Sequence, residues 1–199
     1  MMDWDERYRS EDYVFGTLPN AFLKREAGRL PAGGAVLAVA DGEGRNGVFL
    51  AERGFDVTAV DASSEGLAKA KRLADRRGVA LRHQKADLIA WDWPLEAFDG
   101  VVGIFIQFAP PGERAILFEG MRRALRPGGI LMLEGYRPEQ VDYGTGGPPT
   151  RENMYTRALL EEAFAGFDIL LLEEYDAEIE EGAGHRGRSA LIDLVARKG

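Results

Sequence analysis

The sequence predicts a doubly wound α/β sheet, and three observations carry that prediction. Residues 35–40 form a short unbroken apolar run, as in a strand covered by helices on both faces rather than exposed on one, and further mostly apolar strands follow at 57–60 and 98–105. Amphipathic stretches separate these runs, so the strands run parallel and are joined by right-handed crossovers. Toward its end the chain departs from this alternation: apolar segments at 167–175 and 191–196 lie about a dozen residues apart with no helix between them, which pairs them antiparallel as a hairpin.

Four aromatics, Trp4, Tyr8, Tyr13 and Phe15, stand in an otherwise polar opening segment and need a surface to pack on. Residues 20–30 then read as an amphipathic helix with Ala21, Phe22, Ala27 and Leu30 inward, stopped at Pro31 and turned by Gly33 and Gly34. Residues 1–31 thus form a helical cap, read either as cover for a sheet edge or as an aromatic lid over a ligand.

The stretch 35–61 is a buried strand, a glycine turn, a helix over 46–53 and a second strand ending in Asp61. Gly42, Gly44 and Gly47 spell GxGxxG, which lets the backbone turn sharply and a ligand come close to it. Free amides at the following helix start face that ligand, and the acceptor-only carboxylate of Asp61 is suited to two ribose hydroxyls.

Ser63 or Ser64 caps the next helix, which runs to Arg77 with Leu67, Ala70 and Leu73 buried and Gly78 ending it. A third strand over 79–85 leads to Asp87, at the carboxyl end where open α/β sheets bind ligands; that carboxylate suits an adenine amino group, with a turn or N-cap role as the competing reading. The fourth strand, 98–105, exits through 106–111 into a helix over 113–125. A Pro-Gly-Gly turn at 127–129 precedes a fifth strand at 130–134, and a helix at 156–164 leads to the terminal hairpin.

Composition narrows the function. With 199 residues and 45% hydrophobic content, one good core is expected, so 1–199 reads as a single domain with its core over 35–199. A net charge of −8 disfavours nucleic acid and anionic membranes as partners and leaves a small molecule. The chain has no cysteine, which excludes disulfides and thiolate chemistry, and no metal site is expected. The charged opening residues lack a signal-peptide core, and no apolar run approaches the roughly 20 residues of a membrane span, so a soluble cytoplasmic protein is expected.

With these motifs in this order, the sequence resembles the class I S-adenosylmethionine-dependent methyltransferases, and among them the small bacterial tellurite-resistance and thiopurine-methyltransferase-like group. The first motif of the family aligns on 38–44, its ribose acid on Asp61, its adenine-side acid on Asp87, its segment after strand four on 104–111, and its Pro-Gly-Gly turn on 127–129. Outside the core, the group's cap pattern appears as Trp4, Arg7, Tyr8 and 16–20, its Gly-Gly-Pro loop as 146–148, and its Glu-Gly-x-x-His-x-Gly segment as 181–187. Three positions depart from the family: its opening acid is Ala38, its first glycine is Ala40, and the histidine usual after strand four is Gln107. Asp41 stands one step past the strand as a substitute acid, or as an ordinary turn residue.

The resemblance implies a Rossmann-like seven-stranded sheet, mostly parallel with the C-terminal antiparallel hairpin and the N-terminal helical cap, binding S-adenosylmethionine as cofactor and methylating a small-molecule nucleophile. Cofactor contacts fall on Asp41, Gly42, Glu43, Gly44, Arg45 and Asn46 in the turn, on Asp61, Ala62 and Ser63, on Asp87 and Leu88, and on Phe105, Ile106 and Gln107. Tyr8, Tyr13 and Phe15 are the expected lid, since aromatic faces favour a sulfonium. A soft anion attacks unaided; for an oxygen or nitrogen acceptor His185 is the candidate base, because an ordinary imidazole titrates near pH 6.5. His83, on the third strand, reads as ordinary surface or core. Arg137, Arg186 and Arg188 read as attractors for an anionic substrate or as solvated surface. The alternatives are a nicotinamide-dependent oxidoreductase, which shares the glycine pattern and acid, and a cofactor-binding protein without turnover.

Overall fold

The protein is described by a computed structural model that covers residues 3–199; the first two residues of the expected cap lie outside the described residues. Its centre is one seven-stranded sheet built from β1 (Ala35–Val39), β2 (Asp56–Asp61), β3 (Arg82–Lys85), β4 (Phe98–Ile104), β5 (Leu125–Tyr136), β6 (Phe167–Glu180) and β7 (Arg186–Lys198), in the order β3-β2-β1-β4-β5-β7-β6. The first five strands pair parallel. Strand β7 enters antiparallel between β5 and β6. The order reverses between β1 and β4, and a crevice at the carboxyl ends of the strands is the usual consequence.

Alternation along the central strands explains the two helical layers. Leu37, Val39, Val101, Leu131 and Leu194 face one way and pack against Leu117 and Met121 of α5 (Pro111–Ala124) and Leu160 and Phe164, at and just past α7 (Arg157–Ala163). Val36, Ala38, Val57, Ala59 and Met132 face the other way, against Phe22 and Leu23 of α2 (Ala21–Glu26) and Leu50 of α3 (Arg45–Glu52). Helix α4 (Ser64–Arg77) rests beside α3 through Val48, Leu73 and Ala74. The short helices α1 (Trp4–Tyr8) and α6 (Gln140–Tyr143) sit in the cap and after β5.

Several element boundaries move, each for a local reason. The helix expected over 20–30 is capped by Asn20, whose side chain accepts from the Leu23 amide, and tightens to a 3-10 turn over Ala27–Arg29. The third strand begins only at Arg82, because Val79 packs with the α3–α4 cluster instead. The Pro-Gly-Gly turn lies inside β5, where pairing with β4 jumps from Phe98↔Leu125 to Gly100↔Ile130. The hairpin is longer than its apolar residues indicate: Glu173, Glu174, Asp176, Glu178 and Glu180 are weak strand formers, and cross-strand pairing with β7 holds them extended, leaving only 181–185 as the loop.

Candidate active site

A cavity of about 590 Å³ opens at the carboxyl ends of the parallel strands, under the cap. Its size suits a small organic ligand. The exits of β1, β2, β3 and β4 form its floor, Trp4, Arg7, Tyr8 and Phe15 of the cap form one wall, and Pro148, Gly184 and His185 close another.

Asp61 ends β2 buried on that floor. One carboxylate oxygen accepts from the Gly42 amide at 2.8 Å and the other from the Ser63 amide at 2.8 Å, so the acid is fixed in orientation and each oxygen keeps a lone pair for a ligand hydroxyl. Burial raises its pKa, and the Ser63, Gly42 and Ala62 amides oppose that rise. Gly42 is left-handed, and a Cβ there would stand 2.7 Å from the Tyr8 hydroxyl, so glycine is required beneath the cap. Asp87 lines the cavity from an exposed position, one of its oxygens accepting from the Ile89 amide at 3.0 Å. Ala40 and Phe105, at the exits of β1 and β4, both adopt left-handed backbone, a strain side chains rarely accept outside functional sites.

Asp41 serves the turn with one carboxylate oxygen and leaves the other without a partner among the described residues. Its Oδ1 accepts from the Gly47 amide at 3.0 Å and so caps α3, whose N-cap residue Gly44 has no side chain to do so. Its Oδ2 is buried with no hydrogen-bond partner, and burial pushes the carboxyl up to about 7. Beside it a void of about 10 Å³ lies between Ala38, Asn46, Val102 and Ile104, at the place a longer side chain on residue 38 would fill.

The rest of the glycine turn reaches outward. Glu43 pairs with the buried Lys69 at 2.6 Å and accepts from the Phe15 amide. Arg45 pairs with Glu181 of the hairpin loop at 2.7 Å. Asn46 accepts from the Asn20 amide at 3.0 Å. Lys69 completes the junction by donating to the carbonyls of Ser10 and Asp12. One turn therefore holds the cap, α4 and the hairpin in register around the cavity.

His185 is packed between Phe15 and Phe105, ring centroids 4.6 and 4.4 Å away, with Tyr136 beyond, and its Nδ1 hydrogen-bonds the Tyr136 hydroxyl. Burial, then the charges of Arg45 and Arg7, push its pKa down to about 3. The imidazole is thus neutral at ordinary pH, and with so low a pKa it is a feeble proton acceptor, contrary to the expectation of a base titrating near 6.5. Proton NMR is expected to show a His185 C2–H shift that stays flat from pH 8 down to about 5; an inflection near 6.5 would contradict this environment. Because the unfolded chain takes up a proton that the folded imidazole refuses, this residue also makes stability fall as pH drops from about 6.5 toward 3. Tyr8 is likewise held protonated, its pKa raised by burial and then by Asp61 and Glu43.

Among the expected site residues, Asp41, Gly42, Glu43, Arg45, Asn46, Asp61, Ala62, Ser63, Asp87, Leu88, Phe105, Gln107, Tyr8 and His185 line the cavity. Three do not. Tyr13 lies on α4, its hydroxyl donating to the Lys69 carbonyl and accepting from Arg76; a polar cap segment gave no sign of which aromatic turns inward. Gly44 backs onto Ala70, where a Cβ would come within 2.5 Å, so it serves helix packing. Ile106 points into the core with Leu117 and Met121, as the residue between two outward-turned neighbours must. Gln107 lines the cavity while clasping the Tyr136 backbone with both ends of its amide, which explains an amide in place of the usual imidazole. Arg137 and Arg188 are both spent on Asp176, and Arg186 is exposed on β7; none of the three lines the cavity. Sequence reasoning missed Asp5, Glu113, Tyr136 and Asn153 as lining residues. Only long-range packing brings them there.

A family model described as "Methyltransferase domain" matches residues 36–129. A glycine/sarcosine N-methyltransferase of Halorhodospira halochloris is 32% identical over 141 residues, covering 67% of this chain and 48% of that protein. A demethylmenaquinone methyltransferase of Thermus thermophilus is 33% identical over 105 residues, covering 52% of this chain and 47% of its own. The chain spans about half the length of these relatives. TehB from Haemophilus influenzae shares the fold with a TM-score of 0.74 at 18% identity, over 98% of this chain and 66% of the other. A structure described under conversion of a disulfide bond into a thioacetal group during echinomycin biosynthesis shares it with a TM-score of 0.79 at 21% identity, over 98% of this chain and 90% of the other.

Proposed function

Because the chain belongs to the class I S-adenosylmethionine-dependent methyltransferases, we propose that it moves the methyl group of that cofactor onto a small-molecule nucleophile. The observation that carries the reading is Asp61, pinned by two backbone amides on the floor of a cavity of the right size, with a further carboxylate, Asp87, at the next strand exit. The residues fit the cofactor: Asp61 has lone pairs for ribose hydroxyls, Asp87 has a free oxygen for the base, and the buried Oδ2 of Asp41 lacks the donor that an amino group would bring.

When bound, the cofactor supplies an electrophilic methyl on a sulfonium. The chain's own part is to hold, align and exclude water. Phe15, Phe105 and Tyr8 present aromatic faces around the cavity, and the Lys69 junction keeps the cap closed over it. At the aromatic end His185 is neutral and Tyr8 holds its proton. This supports an acceptor whose nucleophile is already deprotonated or carries a free lone pair, as expected in the tellurite-resistance and thiopurine-methyltransferase-like group. No helix among the described residues is long and apolar enough to cross a membrane.

Calorimetry with S-adenosylhomocysteine, the demethylated cofactor, tests the reading. One molecule per chain is expected, with thermal stabilisation that NADH does not give. Stabilisation by NADH alone would reverse the assignment in favour of an oxidoreductase.

A further inference from the structure

A neutral imidazole carries one hydrogen, on Nδ1 or on Nε2, and the nitrogen without it is an acceptor. Burial, then the charges of Arg45 and Arg7, keep His185 in that neutral form, so its use to a ligand turns on which nitrogen bears the hydrogen. Tyr136 decides this. Its hydroxyl meets Nδ1, and with only 1% of Tyr136 exposed, solvent does not compete for the contact. A phenol O–H is a better donor than a neutral imidazole N–H, and the imidazole nitrogen is the better acceptor of the two. Tyr136 keeps its proton as well, its pKa raised by burial and then by Glu134 and Glu181. The hydroxyl therefore donates to Nδ1, and the hydrogen of the imidazole stands on Nε2.

That Nε2 has no hydrogen-bond partner among the described residues, and unlike Nε2 of His83 it is not sealed from solvent. The ring is packed between Phe15 and Phe105 with Nδ1 turned to Tyr136, so the edge it gives the cavity is the one carrying Nε2. The backbone is held too: the His185 carbonyl accepts from the Glu181 amide at 2.8 Å, and the residue bridges to Gly146 in the loop after α6. A donor fixed in this way needs no reorganisation when a ligand arrives.

We propose that Tyr136 holds His185 as the Nε2–H tautomer and that this N–H donates a hydrogen bond to the methyl acceptor, selecting molecules with a lone-pair atom beside the nucleophile. The proposal deepens the methyl-transfer reading and rests on it for the identity of the ligand. Tyr136 acts through His185 and is a positioning residue. An acceptor that turns an N–H or O–H toward Nε2 sets donor against donor and is rejected, whereas an ether or carbonyl oxygen or an unprotonated ring nitrogen is matched.

The first arm of the test needs no ligand. Long-range 1H–15N NMR of the natural protein is expected to show His185 with its hydrogen on Nε2. Tyr136→Phe keeps the ring and removes only the hydroxyl; its Nδ1 resonance is expected to move, and the Nδ1–H form to become populated. An Nδ1–H form in the natural protein, or a spectrum unchanged in Tyr136→Phe, overturns the role of Tyr136. The second arm uses calorimetry with S-adenosylhomocysteine present and compares 2-methoxythiophenol with 2-ethylthiophenol, which match in size while only the first has an oxygen lone pair beside the sulfur. The natural protein is expected to prefer the methoxy compound at least fivefold. His185→Phe, which keeps an aromatic ring in the stack without a donor, is expected to lose the preference, and His185→Gln, whose amide NH2 replaces the Nε2 donor, to keep most of it. No preference in the natural protein, or an equal one in His185→Phe, overturns the donor role. Failure of S-adenosylhomocysteine itself to bind counts against methyl transfer instead, and the tautomer still decides the part played by Tyr136.

Discussion

Replacing Lys69 with methionine is expected to lower the free energy of unfolding by about 3–5 kcal/mol, the usual cost of breaking a buried ion pair from one side. Lys69 and Glu43 are both almost wholly buried, 2.6 Å apart, and the ammonium also serves the Ser10 and Asp12 carbonyls. Methionine fills the space of the stem but leaves Glu43 charged and the cap carbonyls unsatisfied. Urea denaturation of Lys69→Met beside Lys69→Met/Glu43→Gln separates the causes: the double variant is expected to regain more than half of the loss, since it strands no charge. A single variant within about 1 kcal/mol of the natural protein would show that the pair is solvated and that the cap is held elsewhere.

The second large effect is expected at Asp61. Asp61→Asn is expected to weaken S-adenosylhomocysteine binding by about 100-fold, the equivalent of about 3 kcal/mol for charge-assisted hydrogen bonds to two ribose hydroxyls. The substitution does more than neutralise a charge. Both carboxylate oxygens accept backbone amides, from Gly42 and from Ser63, and an asparagine NH2 must confront one of those donors. The glycine turn loosens as the ligand contact is lost. Asp87→Ala, whose residue lies exposed at the margin, is expected to cost only about tenfold, as for one partly solvated contact. Asp61→Asn binding within threefold of the natural protein would remove this acid from the site.

The sheet and its hairpin were legible from the sequence because parallel strands buried on both faces leave short, mostly apolar runs, and 35–40, 57–60 and 98–105 are such runs. The extent of β6 was not, since its outer half alternates acids with apolar residues and is held by β7 rather than by propensity. At the site, the spacing from Gly42 to Asp61 followed from local chain geometry, and the two meet at 2.8 Å. Glu43, Arg45 and Asn46 were expected to face a ligand, yet each also binds a segment remote in sequence, which no local pattern encodes. His185 shows the same limit in its electrostatics. A histidine among glycines reads as an ordinary titrating group, and only the rings of Phe15 and Phe105 and the nearby arginines reveal that it stays neutral.

The bracing of the cap by the hairpin loop has a consequence for biosynthesis. Val14 accepts from the Gly184 amide, Asn20 donates to Glu181, and Phe15 packs on the His185 ring, so the cap is fastened by residues made much later than its own. While the ribosome is still adding β5 and β6, the parallel strands can assemble and the cap can dock on α4 through Lys69, but Phe15 lacks the His185 ring and Asn20 the Glu181 carboxylate that fasten its other side. The binding chamber is therefore finished only when the hairpin emerges, and a nascent chain stalled before residue 181, with no β7 for β6 to pair with, should hold the five parallel strands around a crevice that lacks its hairpin wall.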